Sequence, residues 1–81
     1  MTDDDARELI ATTLHQVAPE ADLADVGPDE TLQEALDLDS MDFLNFLIAL
    51  AESTGVEIPE SDYHLVHTYA GCRDYLARRA A

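Results

Sequence analysis

Apolar positions recur with a helical period in three stretches of the chain. Ala6, Leu9, Ile10, Thr13, Leu14 and Val17 follow the i, i+3, i+4, i+7 spacing of an amphipathic helix. Thr2 is placed to cap it, and Asp3, Asp4 and Asp5 fill the first turn, where the helix dipole favours anions. Pro19 stops it by pushing the preceding residue out of the α region. A second helix is predicted from Ser40 to Ser53 or Thr54, with Asp39 as its N-cap, Asp42 in its first turn and Gly55 just past its end. A third opens behind Thr68 and turns Tyr69, Cys72, Tyr75 and Leu76 toward the core, with Arg73, Arg78 and Arg79 along it. A shorter helix is predicted over Glu60 to Val66. Val56-Glu57-Ile58-Pro59 alternates like a strand, but no second strand is available to pair with it and Pro59 ends it. The expected class is therefore all-α: a single domain over residues 1–81, with three longer helices and one short one.

Two features of this pattern are unusual. The first is the connection from Glu20 to Asp39, longer than most loops of a compact domain; connections of that length are often functional. Gly27-Pro28-Asp29 marks a turn inside it, Thr31 to Leu36 is compatible with one helical turn, and Leu23, Val26, Leu32, Leu36 and Leu38 are spaced to pin it to the core. The second is the helix opened by Ser40. Met41, Phe43, Leu44, Phe46, Leu47, Ile48 and Leu50 cover most of its circumference, and only Asp42, Asn45 and Glu52 are clearly polar. A domain this small cannot bury a helix on every side, so some of these side chains serve a ligand pocket or an interface.

Charge narrows the partners. The 81 residues hold 18 acidic and 4 basic side chains, a formal net charge of −14. Such a surface repels nucleic acid and anionic lipid and attracts basic patches on other proteins. The acidic start Met1-Thr2-Asp3-Asp4-Asp5 does not read as a signal peptide, and the longest apolar run, Phe43 to Ala51, is interrupted by Asn45 and too short to span a bilayer. A cytoplasmic monomer is expected, free of membrane. With one cysteine, Cys72, no intrachain disulfide is available and stability must come from helix packing.

The candidate chemistry sits between the long loop and the apolar helix, in Leu36-Asp37-Leu38-Asp39-Ser40-Met41-Asp42. This string resembles the phosphopantetheine attachment motif of the acyl carrier protein family, Asp-Ser-Leu or Asp-Ser-Met followed by an acidic residue. The resemblance runs from Thr31 to Leu76 without gaps and takes in the Glu57-Ile58-Pro59 link and the Thr68 cap. It implies a carrier-type four-helix bundle with the long loop between helices one and two. It also implies a 4′-phosphopantetheine arm, taken from coenzyme A and attached covalently to Ser40, with Asp39 assisting the transferase. The arm carries acyl groups as thioesters, and their chains can shelter among the helices. Implied partners are a phosphopantetheinyl transferase and acyl-loading and acyl-processing enzymes with basic docking patches. The chain itself is then no enzyme. A serine hydroxyl at a helix start is exposed at an apex, and a phosphodiester there meets free N–H groups and the positive end of the dipole.

By the same resemblance Met41, Asp42, Ile48 and Glu52 face partner enzymes, and Phe43, Phe46 and Leu50 line the core or the space for an acyl chain. Three departures stand out. Phe43 replaces a small polar residue common at its position and reshapes that space; Asn45 and Ala51 occupy two positions usually glutamate; Asp37 stands where a glycine is common. They point to a specialised pathway rather than general fatty acid synthesis.

Other constellations carry less. His64 and His67 with Asp62 do not complete a zinc site. Asp37 and Asp39 begin like a calcium loop whose glycine and terminal glutamate are missing. Cys72 reads as a small core residue, Ser40 lacks a Gly-x-Ser-x-Gly elbow, and Tyr63, Tyr69 and Tyr75 read as packing between the last two helices. Two alternatives to an acyl carrier remain open: an aminoacyl, peptidyl or D-alanyl carrier of the same fold, and a non-carrier acidic adaptor that binds proteins through its apolar helix.

Overall fold

In the computed structural model, which describes residues 2–27 and 29–79, helix α1 spans Asp3–Val17, α2 Leu32–Ala35, α3 Ser40–Thr54 and α4 Tyr69–Arg79. Short 3₁₀ segments lie at Leu23–Asp25 and Glu60–Leu65. Among the described residues there is no strand, and Val56 to Pro59 is an extended link.

The helix boundaries follow from side chains that satisfy the free backbone groups at each end. Thr2 and Asp5 form a reciprocal capping box at the start of α1, which ends at Val17, just ahead of Pro19. Thr31 Oγ1 accepts the Glu34 N–H at the start of α2, and Thr68 Oγ1 accepts the Gly71 N–H at the start of α4. Gly55 closes α3 at φ +71°, and its N–H returns to the Ala51 carbonyl. Gly27 donates to Glu30 Oε1 at 2.9 Å. The turn expected at Gly27-Pro28-Asp29 depends on Pro28, which lies outside the described residues.

One core joins all of these elements. Ile10, Leu14, Leu32, Phe46, Leu47, Leu50, Val66 and Leu76 are buried at its centre. Each contributes gross transfer energy of roughly 1.5–3 kcal/mol. The long connection is packed rather than loose: Leu23, Leu32 and Leu38 are buried and Val26 and Leu36 half-buried, so the chain passes over the bundle pinned at five points. Val56 and Ile58 face the core with Glu57 outward between them.

The Thr31 and Thr68 caps also meet each other. They form an isolated antiparallel bridge in which the Leu32 N–H donates to the His67 carbonyl at 2.8 Å. This contact ties the start of α2 to the start of α4, two points far apart in sequence, and no local pattern announces it.

The tyrosines divide their work differently from the sequence expectation. Tyr75 does pack the Glu60–Leu65 segment against α4: its hydroxyl donates to Asp62 Oδ2 at 2.7 Å and lies 3.4 Å from the Glu57 carbonyl, and Arg79 stacks 4.5 Å above its ring. Tyr69 instead joins α4 to α1, because the Arg7 and Arg73 guanidiniums lie 5.4 and 5.7 Å from its ring centre. Arg73 also faces Asp74 at 3.5 Å and Asp3 at 4.0 Å. Arg73 is partly buried but both carboxylates are exposed, and pairs to carboxylates in water add little stability.

Cys72 is wholly buried, and burial pushes its thiol from 9.0 up to about 12. Burial and the hydrogen bond to Asp62 push the Tyr75 hydroxyl up as well. Both groups bind their protons more tightly folded than unfolded. Their stabilising contribution is complete below pH 9 and is lost as pH rises toward 12. Unfolding free energy measured by urea titration should therefore fall between pH 9 and 11, with the Cys72 thiol silent to a thiol reagent until the chain unfolds.

Gly71 marks the closest approach of α4 to the Glu60–Leu65 segment, since a Cβ there would collide with the Leu65 carbonyl. Gly71→Ala should lower the unfolding free energy by about 1–3 kcal/mol in the same titration, as overpacking against backbone does.

Candidate functional site

The site is built where the pinned connection delivers the chain to α3. Leu38 is buried and its N–H donates to the Gln33 carbonyl at 2.9 Å, which turns the backbone back toward α2. Asp37 lies in the left-handed region at φ +53°, a conformation that aspartate tolerates better than most residues and that glycine adopts freely. A glycine would take this turn without strain, and the aspartate here takes it at φ +53°.

Asp39 then caps α3. Its Oδ1 accepts the Asp42 N–H at 2.7 Å, and its carbonyl accepts the Phe43 N–H at 3.1 Å. Ser40 follows as the first helical residue and its side chain is exposed. It sits at the head of a 15-residue helix, where the N–H groups of the first turn have no partner within the helix. Ser40 is exposed to solvent, and the acidic residues Asp37, Asp39 and Asp42 stand close to it along the chain.

Around Ser40 the apolar face of α3 divides cleanly. Phe43, Phe46, Leu47 and Leu50 point into the core. Met41, Leu44 and Ile48 point outward at 65%, 37% and 47% exposure, which rules out core packing for them. Spaced three and four apart, they form one stripe that starts beside Ser40, with Glu52 exposed one turn further on. Leu65, 45% exposed, is a fourth large apolar side chain at the surface. Asp42 is half-buried.

Two depressions border the site. One, of about 610 Å³, runs from Val17–Asp22 to Ala35–Leu38 and ends at Asp42. The other, of about 250 Å³, is lined by Thr31, Gln33, Glu34, Phe43 and His67. Of the residues expected to line an acyl space, only Phe43 reaches that second depression; Phe46 and Leu50 lie behind it, fully buried.

The histidines and Asp62 are not gathered. The Asp62 carboxylate is taken by Tyr75 and stands 3.6 Å from Arg79, and His67 packs edge-on against Phe43. The contribution of His67 to the surroundings of Ser40 escapes a reading of sequence, because it depends on the long-range bridge between Thr31 and Thr68.

This is a helical carrier scaffold: a small bundle that holds one hydroxyl out on the head of a helix beside an apolar stripe. Comparison with known proteins agrees. The family model described as "Phosphopantetheine attachment site" matches residues 4–71. An acyl carrier protein of Acidothermus cellulolyticus is 29% identical over 75 residues, covering 89% of this chain and 89% of that one. One of Syntrophobacter fumaroxidans is 34% identical over 56 residues, 69% of each. One of Streptomyces coelicolor is 28% identical over 78 residues, covering 96% of this chain and 80% of that one. The chain belongs to the acyl carrier protein family, whose cofactor is 4′-phosphopantetheine. None of its described helices is long and apolar enough to cross a membrane.

Removing the cap is the direct test of how Ser40 is presented. Asp39→Ala should lower stability by about 1 kcal/mol, the usual loss on deleting a side-chain cap, and should increase amide hydrogen exchange in the first turn of α3.

Proposed function

We propose that Ser40 is the attachment residue and that the protein carries acyl groups as thioesters in a fatty acid, polyketide or related specialised pathway. The observation that carries the reading is the exposed Ser40 hydroxyl at the head of α3, directly behind the Asp39 cap and within the matched region. In loading, this oxygen bonds to the pantetheine phosphorus of coenzyme A, adenosine 3′,5′-bisphosphate leaves, and the serine proton passes to a base on the transferase. Once attached, the arm supplies a terminal thiol on which acyl groups ride.

The residues fit such a group. A phosphodiester on Ser40 gains about 0.3–1 kcal/mol from the helix N-terminus. It is opposed by the carboxylates of Asp37, Asp39 and Asp42, each worth about 1 kcal/mol or less at 4 Å in water. The two effects oppose each other, and the three carboxylates together can match or outweigh the helix end, so the surface around Ser40 does not bind the diester down. The covalent bond holds the arm, which projects into water and is free to enter other proteins.

Asp39 shapes the turn the transferase reads. Met41, Ile48, Asp42 and Glu52 form the docking face: an apolar stripe with carboxylates at its edges, suited to an apolar patch ringed by Lys and Arg. Asn45 and Ala51 leave this face with fewer charges than a glutamate-lined helix would have, which supports a dedicated set of partner enzymes in a specialised pathway.

Incubation with coenzyme A and a broad-range phosphopantetheinyl transferase should raise the intact mass by one arm, and Ser40→Ala should stay unmodified. An unchanged wild-type mass would leave only the adaptor reading. The double variant Met41→Ala/Ile48→Ala should keep the wild-type melting temperature, since both side chains are exposed, while kcat/KM for loading falls about 10-fold or more. Raising salt should slow the wild type by screening its long-range attraction to a basic partner.

A further inference from the structure

Beneath Ser40 the interior of the bundle is already filled. Phe43 stands one turn further into α3, on its buried side, and is 7% exposed. Its ring centre lies 6.2 Å from that of Phe46, tilted by 32°, and 5.7 Å from that of His67, edge-on at 65°. One aromatic ring therefore spans from α3 to the residue just before the Thr68 cap of α4. The His67 backbone is held, because its carbonyl accepts the Leu32 N–H in the Thr31–Thr68 bridge, while the residue itself is exposed. Behind the ring, Phe46, Leu47 and Leu50 are at most 1% exposed. In front of it lies the 250 Å³ depression, in which Thr31, Gln33, Glu34 and His67 are polar and Phe43 is the sole apolar wall.

We propose that Phe43, buried against Phe46 and edged by His67, is a plug that keeps a thioester-bound chain out of the bundle and so restricts the cargo to short or polar acyl groups. The proposal rests on attachment at Ser40. A chain entering the bundle past Phe43 from the outer depression would have to displace a ring that packs on Phe46 and meets His67 edge-on, and close-packed interiors do not yield such space freely. A long alkyl chain left outside forgoes its transfer out of water, and that loss grows with each methylene. A short acyl group loses little. A polar one can also hydrogen-bond to the Gln33, Glu34 and His67 side chains lining the outer depression.

The test compares wild type and Phe43→Ala, each carrying either the unacylated arm or an octanoyl arm loaded from octanoyl-coenzyme A, with loading verified by intact mass. Octanoylation should leave the wild-type melting temperature and the methyl resonances of Leu47, Leu50 and Leu76 unchanged. In Phe43→Ala, whose cavity the chain can fill, it should raise the melting temperature by about 5 °C and shift those methyls. Should Phe43→Ala fail to fold, Phe43→Val takes its place. A rise in wild-type melting temperature on octanoylation, wherever the chain lodges, overturns the proposal. So does an opened variant that gains nothing from the chain. A protein that never gains the mass of an arm overturns the attachment reading, and the plug with it; a loaded wild type that shelters its chain overturns the plug alone.

Discussion

The hydrogen bond from the Asp42 N–H to the Asp39 carboxylate decides where α3 begins, and therefore which residue stands at its head. Were the sequence to slide by one residue along the helix, so that Met41 took the place of Ser40 at its head, every side chain on it would rotate by about 100° around the axis. Phe43, Phe46, Leu47 and Leu50 would leave the core, and Met41, Leu44 and Ile48 would leave the surface. The cap and the core packing of α3 thus specify the same register independently. Ser40 is presented by a helix that is locked at its start by a carboxylate and along its length by burial.

The connection before α3 serves the same end. A loop of this length free in solution would present Ser40 in many orientations. Here Leu23, Leu32 and Leu38 bury into the core, α2 adds a short rigid turn, and Asp37 accepts a left-handed backbone so that the chain can reverse into the cap. The Thr31–Thr68 bridge fastens α2 to the start of α4, which also positions His67 against Phe43. In the proposed role, rigidity at the base of a flexible tether is useful: partner enzymes would meet one fixed surface, while the arm itself would supply the reach.

Charge and hydrophobicity divide the partner-facing work. The net charge of −14 acts at long range and speeds encounter with basic surfaces. In the proposed docking role, the exposed apolar stripe would act only on contact, where its burial would supply the affinity. Neither stabilises the bundle: crowded carboxylates repel one another, and exposed methionine and isoleucine give up the gain of burial. Stability is carried instead by the core and by specific ties such as Tyr75 to Asp62.

Much of this was determined by the sequence alone, because the deciding interactions are local. Caps, proline stops, the Gly55 terminus and the 3.6-residue apolar period each act within a few residues, so Thr2, Pro19, Asp39, Gly55 and Thr68 announce the helices they bound. The Asp39-Ser40-Met41 string at a helix start likewise marks the candidate site before any coordinates. What only the tertiary structure decided are the contacts between residues far apart in the chain. A helix that is apolar nearly all round does not say which of its faces is covered; α1, α2 and the shared core settled that by burying Phe43, Phe46, Leu47 and Leu50 and leaving Met41, Leu44 and Ile48 in water. The meeting of Thr31 with Thr68, of Tyr69 with Arg7, and of Phe43 with His67 has no signature in spacing. Each arises from how packed elements fall against one another, and that is a property of the assembled core rather than of any single segment.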